Sequence, residues 1–335
     1  MKNEQHSVSI HFAITLIAAA EGKGLDTRQL LHNAGLNEQL LKQPGLRITP
    51  EQLSRLTQEV WKAADDELIC MGSRPSRQGV FALMAKHLVH CRKLRSVYHR
   101  FAQYYNLIAD AFELNFSVEG ELATLTLKLT DADNDPDHTL REFLLLLLHR
   151  FPSWLIGQRI TLEQVTFDFP KPEHSEEHRL MFPGRVEYDQ PICSFSFSKK
   201  LLDEPVVQTT STLGGYLRTL PLEWFKRQAY YPVYTRRVLN YLEQAPDLAQ
   251  TGIEQVAEEA HMTSRNLRRK LSSEGTSFQE LKDSVRRDAA IHYLSQPTLT
   301  IAQIARELGF SEPTAFTRAF KQWTGVSPSL YRQES

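Results

Sequence analysis

Cysteine is scarce in this chain: Cys70, Cys91 and Cys193 are the only three in 335 residues, and no two form a CxxC pair. An odd count excludes a fully paired disulfide framework, so a reducing compartment is the expectation. An excess of one charge is missing too. Lys and Arg number 39 against 40 Asp and Glu, a formal net charge of −1, so bulk charge gives no sign of nucleic acid. Long apolar runs are also lacking. The densest, FLLLLL at 143–148, is bracketed by Arg141, His149 and Arg150 and falls far short of the ~18–20 residues of a membrane span. The stretch 8–20 faintly imitates a signal peptide, since it is apolar, follows Lys2 and ends in three alanines. Ser9, His11 and Thr15 interrupt it, Glu4 opposes the basic lead, and Ile10, Ile14, Ile17 and Ala18 are spaced as one face of an amphipathic helix. A cytoplasmic protein with no membrane partner is expected.

What is present is a repeat. IEQVAEEAHMTSRNLRRKL at 253–271 and IAQIARELGFSEPTAFTRAF at 301–320 carry one helix-turn-helix pattern twice. Ile253, Val256 and Ala257 fall on Ile301, Ile304 and Ala305 at an offset of 48; beyond the turn Leu267, Arg269 and Leu271 fall on Phe316, Arg318 and Phe320 at 49. The small Ala257 and Ala305 let the second helix of each unit cross closely. Gly309 suits a turn residue with positive φ, and His261, in the matching place, belongs to a residue type that tolerates it. Thr263, and Ser311 or Glu312, stand where an oxygen caps the next helix. That helix then divides into two faces. Leu267 and Leu271, or Phe316, Phe320 and Trp323, point inward; Ser264, Arg265, Arg268 and Arg269, or Thr314, Thr317, Arg318 and Lys321, form the outer face. Although Lys and Arg number only 13 against 12 acids from residue 235 onward, 264–271 holds four basic residues and no acid. A DNA-binding face needs such local focus. The competing reading of these arginines, a solvated helix face, is weakened by the repeat.

From about 233 to 331 the chain resembles the AraC/XylS-type transcription regulators, and GFSEPTAFTRAFKQWTGVSPSLYR at 309–332 is similar to that family's C-terminal signature. The resemblance implies an all-α C-terminal domain in which FQELKDSVRRDAAIHYL, 278–294, forms a long helix joining two helix-turn-helix units, 253–271 and 301–321. His261 departs from the glycine usual in that turn. HLVHCRKLRSVYHRFAQYY and PICSFSFSKKLLDEPV resemble, more loosely, the effector-binding domain of some members.

The first 230 residues read as α+β. Leu94, Val97, Tyr98, Phe101, Tyr105 and Ile108 mark one helical face. Alternation in 112–118 and 125–129 around Glu119 and Gly120 reads as a hairpin. A helix over about 137–156 follows, then strands around Val165, Phe167 and Phe169, around Val186 and Tyr188, and from Cys193 to Phe197. A half-buried antiparallel sheet covered by helices is expected. QAYYPVYTRR, 228–237, marks the boundary because Pro232 interrupts a helix.

Two groups invite other chemistry. His174, Glu177 and His178 form HxxEH, the inverted zinc-protease pattern; an exposed charged turn after Pro170 and Pro172 is the blander and favoured reading. His87, His90 and Cys91 have ligand spacing on a helix, and equally the spacing of an ordinary half-buried face. Tyr104, Tyr105, Arg141 and the 143–148 run serve as pocket lining or as core, so no effector-binding residue is assigned.

The sequence therefore reads as a bacterial DNA-binding transcription regulator, with residues 1–230 sensing a small molecule or dimerising and 233–335 binding double-stranded promoter DNA. No enzyme activity, cofactor or metal is expected. The resemblance implies activation more often than repression, and RNA polymerase as a partner. A zinc hydrolase using 174–178, or a dimeric regulator with no ligand, stands as the alternative.

Overall fold

Apolar spacing of three and four residues alternates along the chain with stretches of period two, and the elements follow it. The computed structural model describes residues 6–182, 184–225, 233–245, 248–296 and 298–332. By contacts the chain divides into two compact units, one of residues 1–10, 35–52 and 231–335, the other of 11–34 and 53–230.

In the second unit the helix Leu94–Ile108 lays Tyr98 and Phe101, both fully buried, over a five-stranded sheet. Tyr98 stacks on Phe116 at 5.1 Å between centroids and meets Phe197 at 5.2 Å. Ile108, expected on the inner face, is 43% exposed, because the helix ends there. The strands are β3 (Phe112–Glu119), β4 (Leu122–Leu129), β5 (Leu162–Thr166), β6 (Arg185–Glu187) and β7 (Cys193–Ser198), following β1 (Val8–Ser9) and β2 (Arg47–Ile48) of the other unit. Their order is β3-β4-β7-β5-β6. The hairpin has Glu119 paired with Leu122 and turns through Gly120 at φ 57° and Glu121, one residue later than the sequence suggests.

The expected antiparallel sheet holds for every pair except β5 and β6, which run parallel. The connection between them contains the helix Glu176–Met181, and a crossover of this kind is what parallel neighbours need. Phe167 and Phe169 lie just past β5 and are buried.

The apolar run 143–148 sits in the helix Thr139–Leu155, nearly all of which is buried. A helix that is apolar all round belongs in a core. Its polar residues each find at least one partner there: Arg141 pairs with Asp135 (3.0 Å) and Asp168 (2.9 Å), His149 meets the Ile160 carbonyl (2.8 Å), and Arg150 donates to the Met181 carbonyl (2.6 Å), while His149 Nδ1 and Arg150 Nε and Nη1 are buried without a partner among the described residues. At the N-terminus the helix is His11–Gly22, preceded by β1; its inner face is Phe12, Ala13, Leu16, Ile17 and Ala20, while Ala18 is exposed. Among the described residues no helix is long and apolar enough to cross a membrane.

The first unit holds the repeat. Its C-terminal helices are Val233–Gln244, Ile253–Glu259, Ser264–Ser273, Phe278–Leu294, Ile301–Glu307, Pro313–Thr324 and Pro328–Arg332. The first half of the boundary segment read at 228–237 lies outside the described residues, Pro232 included. Val238, Leu239, Leu242, Ile253, Val256, Leu267, Leu271 and Leu281 form one core; Ile304, Ala305, Leu308, Phe316 and Phe320 are buried in the second repeat. The long helix starts with a capping box between Ser277 and Glu280. Lys282 on it is buried and donates to the carbonyls of Ala249 (3.0 Å) and Thr251 (2.7 Å).

Segments distant in sequence complete this unit. β1 pairs antiparallel with β2. Ser7 donates to the buried Asp288 on the long helix (2.5 Å), and the Arg47 guanidinium binds Ser7 (2.7 Å). Tyr331 is buried and its hydroxyl meets the Arg47 carbonyl at 3.2 Å and Gln52 Oε1 at 3.4 Å.

Candidate nucleic-acid interface and interior cavity

Each helix-turn-helix unit is built as its sequence requires. His261 takes φ 54° and Gly309 φ 75° at matching places in the two turns. Thr263 caps the helix Ser264–Ser273 by accepting from the Asn266 N–H (3.3 Å). In the second unit Glu312 occupies the cap position without a side-chain cap bond, and Pro313 fills the first turn, a position where its missing N–H costs nothing.

With Leu267 and Leu271 buried, Arg265, Arg268 and Arg269 are exposed and Ser264 is half-buried. In the second unit Thr314, Arg318 and Lys321 are exposed and Thr317 is half-buried, opposite Phe316 and Phe320. Trp323 is half-buried and packs near Phe310, with centroids 6.1 Å apart. Three of these groups already have protein partners, Thr314 among them, which donates to the Glu312 carboxylate (3.2 Å). Arg268 lies 3.6 Å from Glu254 with both side chains largely exposed, a pair that contributes little in water. Thr317 donates to the Pro313 carbonyl (2.9 Å).

HxxEH resolves differently from the zinc-protease pattern. His174 and His178 both reach Oε1 of Glu142, at 2.7 and 2.8 Å, and Glu177 is no part of the group. Glu142 lies on the helix Thr139–Leu155 and is fully buried. Tyr188 meets the other nitrogen of His178 (2.8 Å), and His11 stacks on His174 at 3.7 Å. Burial pushes the Glu142 carboxyl up, but hydrogen bonds from the two imidazoles and their charge outweigh it and hold it at about 2. Far from an exposed turn, His178 and Glu177 are buried. The spacing of 174 and 178 thus serves to clamp a short helix onto the core helix. His87, His90 and Cys91 do not converge: the helix ends at Leu88, the two histidines are exposed and Cys91 is buried.

A cavity of about 330 Å³ opens inside the second unit, between the helices Pro50–Ala64, Val80–Leu88, Leu94–Ile108 and Thr139–Leu155 and the segment 217–224. Trp61, Phe81, Tyr105, Phe143 and Trp224 supply its rings, and Leu144 and Leu147 part of its aliphatic wall. Of the sequence candidates, Tyr105 and part of the 143–148 run line it, whereas Arg141 is committed to Asp135 and Asp168 and Tyr104 donates to the Val80 carbonyl. Glu67 also lines the cavity, and sequence reasoning missed it. Its two oxygens accept the N–H groups of Gly79 (2.7 Å) and Phe81 (2.8 Å). Burial raises its carboxyl above the ordinary range against the pull of those two donors, and Asp66 and Asp65 add to the rise. Gln58 donates to the Leu220 carbonyl, and Lys62 turns outward to Glu59 (2.8 Å).

Comparison with known proteins bears on both parts. Residues 24–206 match the arabinose-binding domain of AraC transcription regulators, and 256–334 match a helix-turn-helix domain. Across 97% of its length the chain is 25% identical to the ornithine utilization regulator of Pseudomonas aeruginosa, covering 96% of that protein. It is 32% identical to the transcriptional activator NphR of a Rhodococcus species over 46% of this chain and 44% of NphR. The crystal structure of the regulator CdpR from Pseudomonas aeruginosa aligns over 96% of this chain and 98% of CdpR, at 19% identity and a TM-score of 0.34. With a family domain spanning more than half of its residues and a helix-turn-helix domain following it, the chain belongs to the AraC-type family of DNA-binding transcription regulators, a family of regulators and not of enzymes.

Proposed function

We propose that this regulator is a cytoplasmic activator that reads promoter DNA through both recognition helices and responds to a small molecule held by its N-terminal part. The assignment of 1–230 to effector binding or dimerisation and of 233–335 to DNA belongs to this proposal. The observation that carries it is the pair of polar, exposed faces on equivalent helices, Ser264, Arg265, Arg268 and Arg269 on one, Thr314, Thr317, Arg318 and Lys321 on the other. Two helices of this kind fit successive major grooves about 34 Å apart on one side of the duplex. Arginine pairs with the O6 and N7 atoms of guanine, and threonine contacts the thymine methyl group. A homodimer bound beside RNA polymerase completes the reading. Footprinting the full chain on DNA upstream of the genes it controls tests it. Protection of two adjacent groove segments on one face, with a non-palindromic half-site, is expected; protection of a single segment overturns the two-groove reading. Transcription from the same promoter with and without the protein separates activation from repression.

A further inference from the structure

Glu67 is a half-buried carboxylate with no cation against it among the described residues. The one lysine in the cavity wall, Lys62, pairs outward with Glu59, and its side chain is 60% exposed. Lys62 and Glu59 neutralise each other, so the wall keeps the one negative charge of Glu67. Its remaining surface is chiefly apolar, with five aromatic rings. Two of those rings meet edge to face on Trp224, Trp61 at 5.7 Å and Phe81 at 5.6 Å between centroids.

We propose that this cavity binds an organic cation, a primary or substituted ammonium group on an apolar body, with the cationic end at Glu67 and the body among the aromatic rings. This rests on the reading of the N-terminal part as effector-binding and names the class of effector. A carboxylate has about four acceptor positions; the N–H groups of Gly79 and Phe81 take two, which leaves acceptor capacity for a ligand N–H. An anion in the same place meets Glu67 with no compensating charge. A neutral apolar molecule fills the space but strips water from the carboxylate and leaves its charge without a counter-ion and its remaining acceptor positions empty, which is costly. An ammonium ion gains the Coulomb attraction and that of the ring faces, which favour a cation within about 6 Å of their centroids. The Trp61 indole N–H, buried and without an acceptor among the described residues, offers a donor for one oxygen on the same ligand. The volume of about 330 Å³ lies at the small end of the ~300–1,000 Å³ usual for such sites.

The test uses the full chain and isosteric probes: phenethylammonium and hexylammonium, each against its alcohol and a carboxylate of matching size, by calorimetry. Each ammonium ion is expected to bind at least roughly tenfold more tightly than its alcohol, with the carboxylate weakest. Glu67→Gln should abolish that preference, and Leu144→Trp, which enlarges an aliphatic residue of the cavity wall, should abolish binding of all probes; the second variant decides the matter if the first fails to fold. Alcohols or carboxylates binding as tightly as the ammonium ions overturn the proposal, and so does ammonium binding that survives Leu144→Trp. Promoter affinity measured in parallel separates this from the reading it rests on. A chain that binds DNA but shows no ammonium preference remains a regulator with a different ligand class. One whose DNA affinity and transcriptional output ignore a tightly bound ammonium ion keeps the cation site and loses its effector role.

Discussion

Arg265 and Arg268 stand on the exposed side of the first recognition helix, and replacing either with alanine should cost about 1–3 kcal/mol in DNA binding and relax preference at one or two positions. The Arg268 contact with Glu254 spans 3.6 Å between exposed groups, so little has to be broken before Arg268 turns to a base. A binding-site selection profile checks both; an unchanged profile for Arg265→Ala makes it a phosphate contact. Glu142 carries a different expectation, about stability. Its buried carboxylate answers two imidazoles, and Glu142→Gln should destabilise the second unit by about 3 kcal/mol. Because the folded carboxyl is depressed to about 2 from an ordinary 4.5, its ionic contribution is complete above the ordinary value and fades as pH falls through about 2. Urea unfolding of both forms should show their stability difference narrowing below pH 4.5; a difference flat from neutral pH down to that depressed value contradicts the assignment.

At the scale of elements, the two turns use one backbone shape with different freedom. Gly309 at φ 75° packs so tightly that a Cβ would lie 2.1 Å from the Cβ of Ala249. Gly309→Ala should therefore destabilise the unit by roughly 2–4 kcal/mol through left-handed strain and overlap together. His261 already carries a side chain at φ 54° and is exposed. His261→Gly should stabilise by at most about 1 kcal/mol, since relieved strain is partly offset by the entropy of a freer unfolded chain. Thermal unfolding of the two variants tests the contrast, and a harmless Gly309→Ala refutes it. The repeat was legible because helix period, turn residue and cap all lie within twenty residues of one another. The parallel pairing of β5 with β6 was not, because strand direction depends on a crossover and leaves no mark on alternation. The imidazoles of 174 and 178 were legible as a pair, but their partner Glu142 sits at the edge of an apolar run 32 residues upstream of His174, where sequence spacing has no reach. Glu67 was invisible for the same reason: what distinguishes it is the absence of a cation, a property of the folded surroundings.

For the whole molecule, an effector regulates only if it has different affinities for the DNA-competent and incompetent arrangements, and such coupling is typically ~1–3 kcal/mol. Promoter affinity of the full chain should therefore change roughly 5–150-fold on saturation with effector. Titrating DNA with and without saturating ligand checks this; identical curves remove the N-terminal part as sensor. A fragment starting at residue 233 is a poor stand-in for that experiment. It lacks Ser7, which binds Asp288, and Arg47 and Gln52, which receive the Tyr331 hydroxyl. Such a fragment should exchange its amide hydrogens faster in the helices Phe278–Leu294 and Pro328–Arg332 than the full chain does.

The contact between Tyr331 and Arg47 bridges 284 positions, and that between Ser7 and Asp288 bridges 281. On the ribosome neither can form until nearly the entire length between them has emerged, and at ~5–20 residues per second that interval runs to tens of seconds. Throughout it, strands β1 and β2 and the helix Glu38–Leu41 wait without their final surface, while everything from residue 53 to 230 is free to fold. The nascent regulator therefore has time to assemble its cavity, and to meet a ligand there, before its DNA-binding unit is finished.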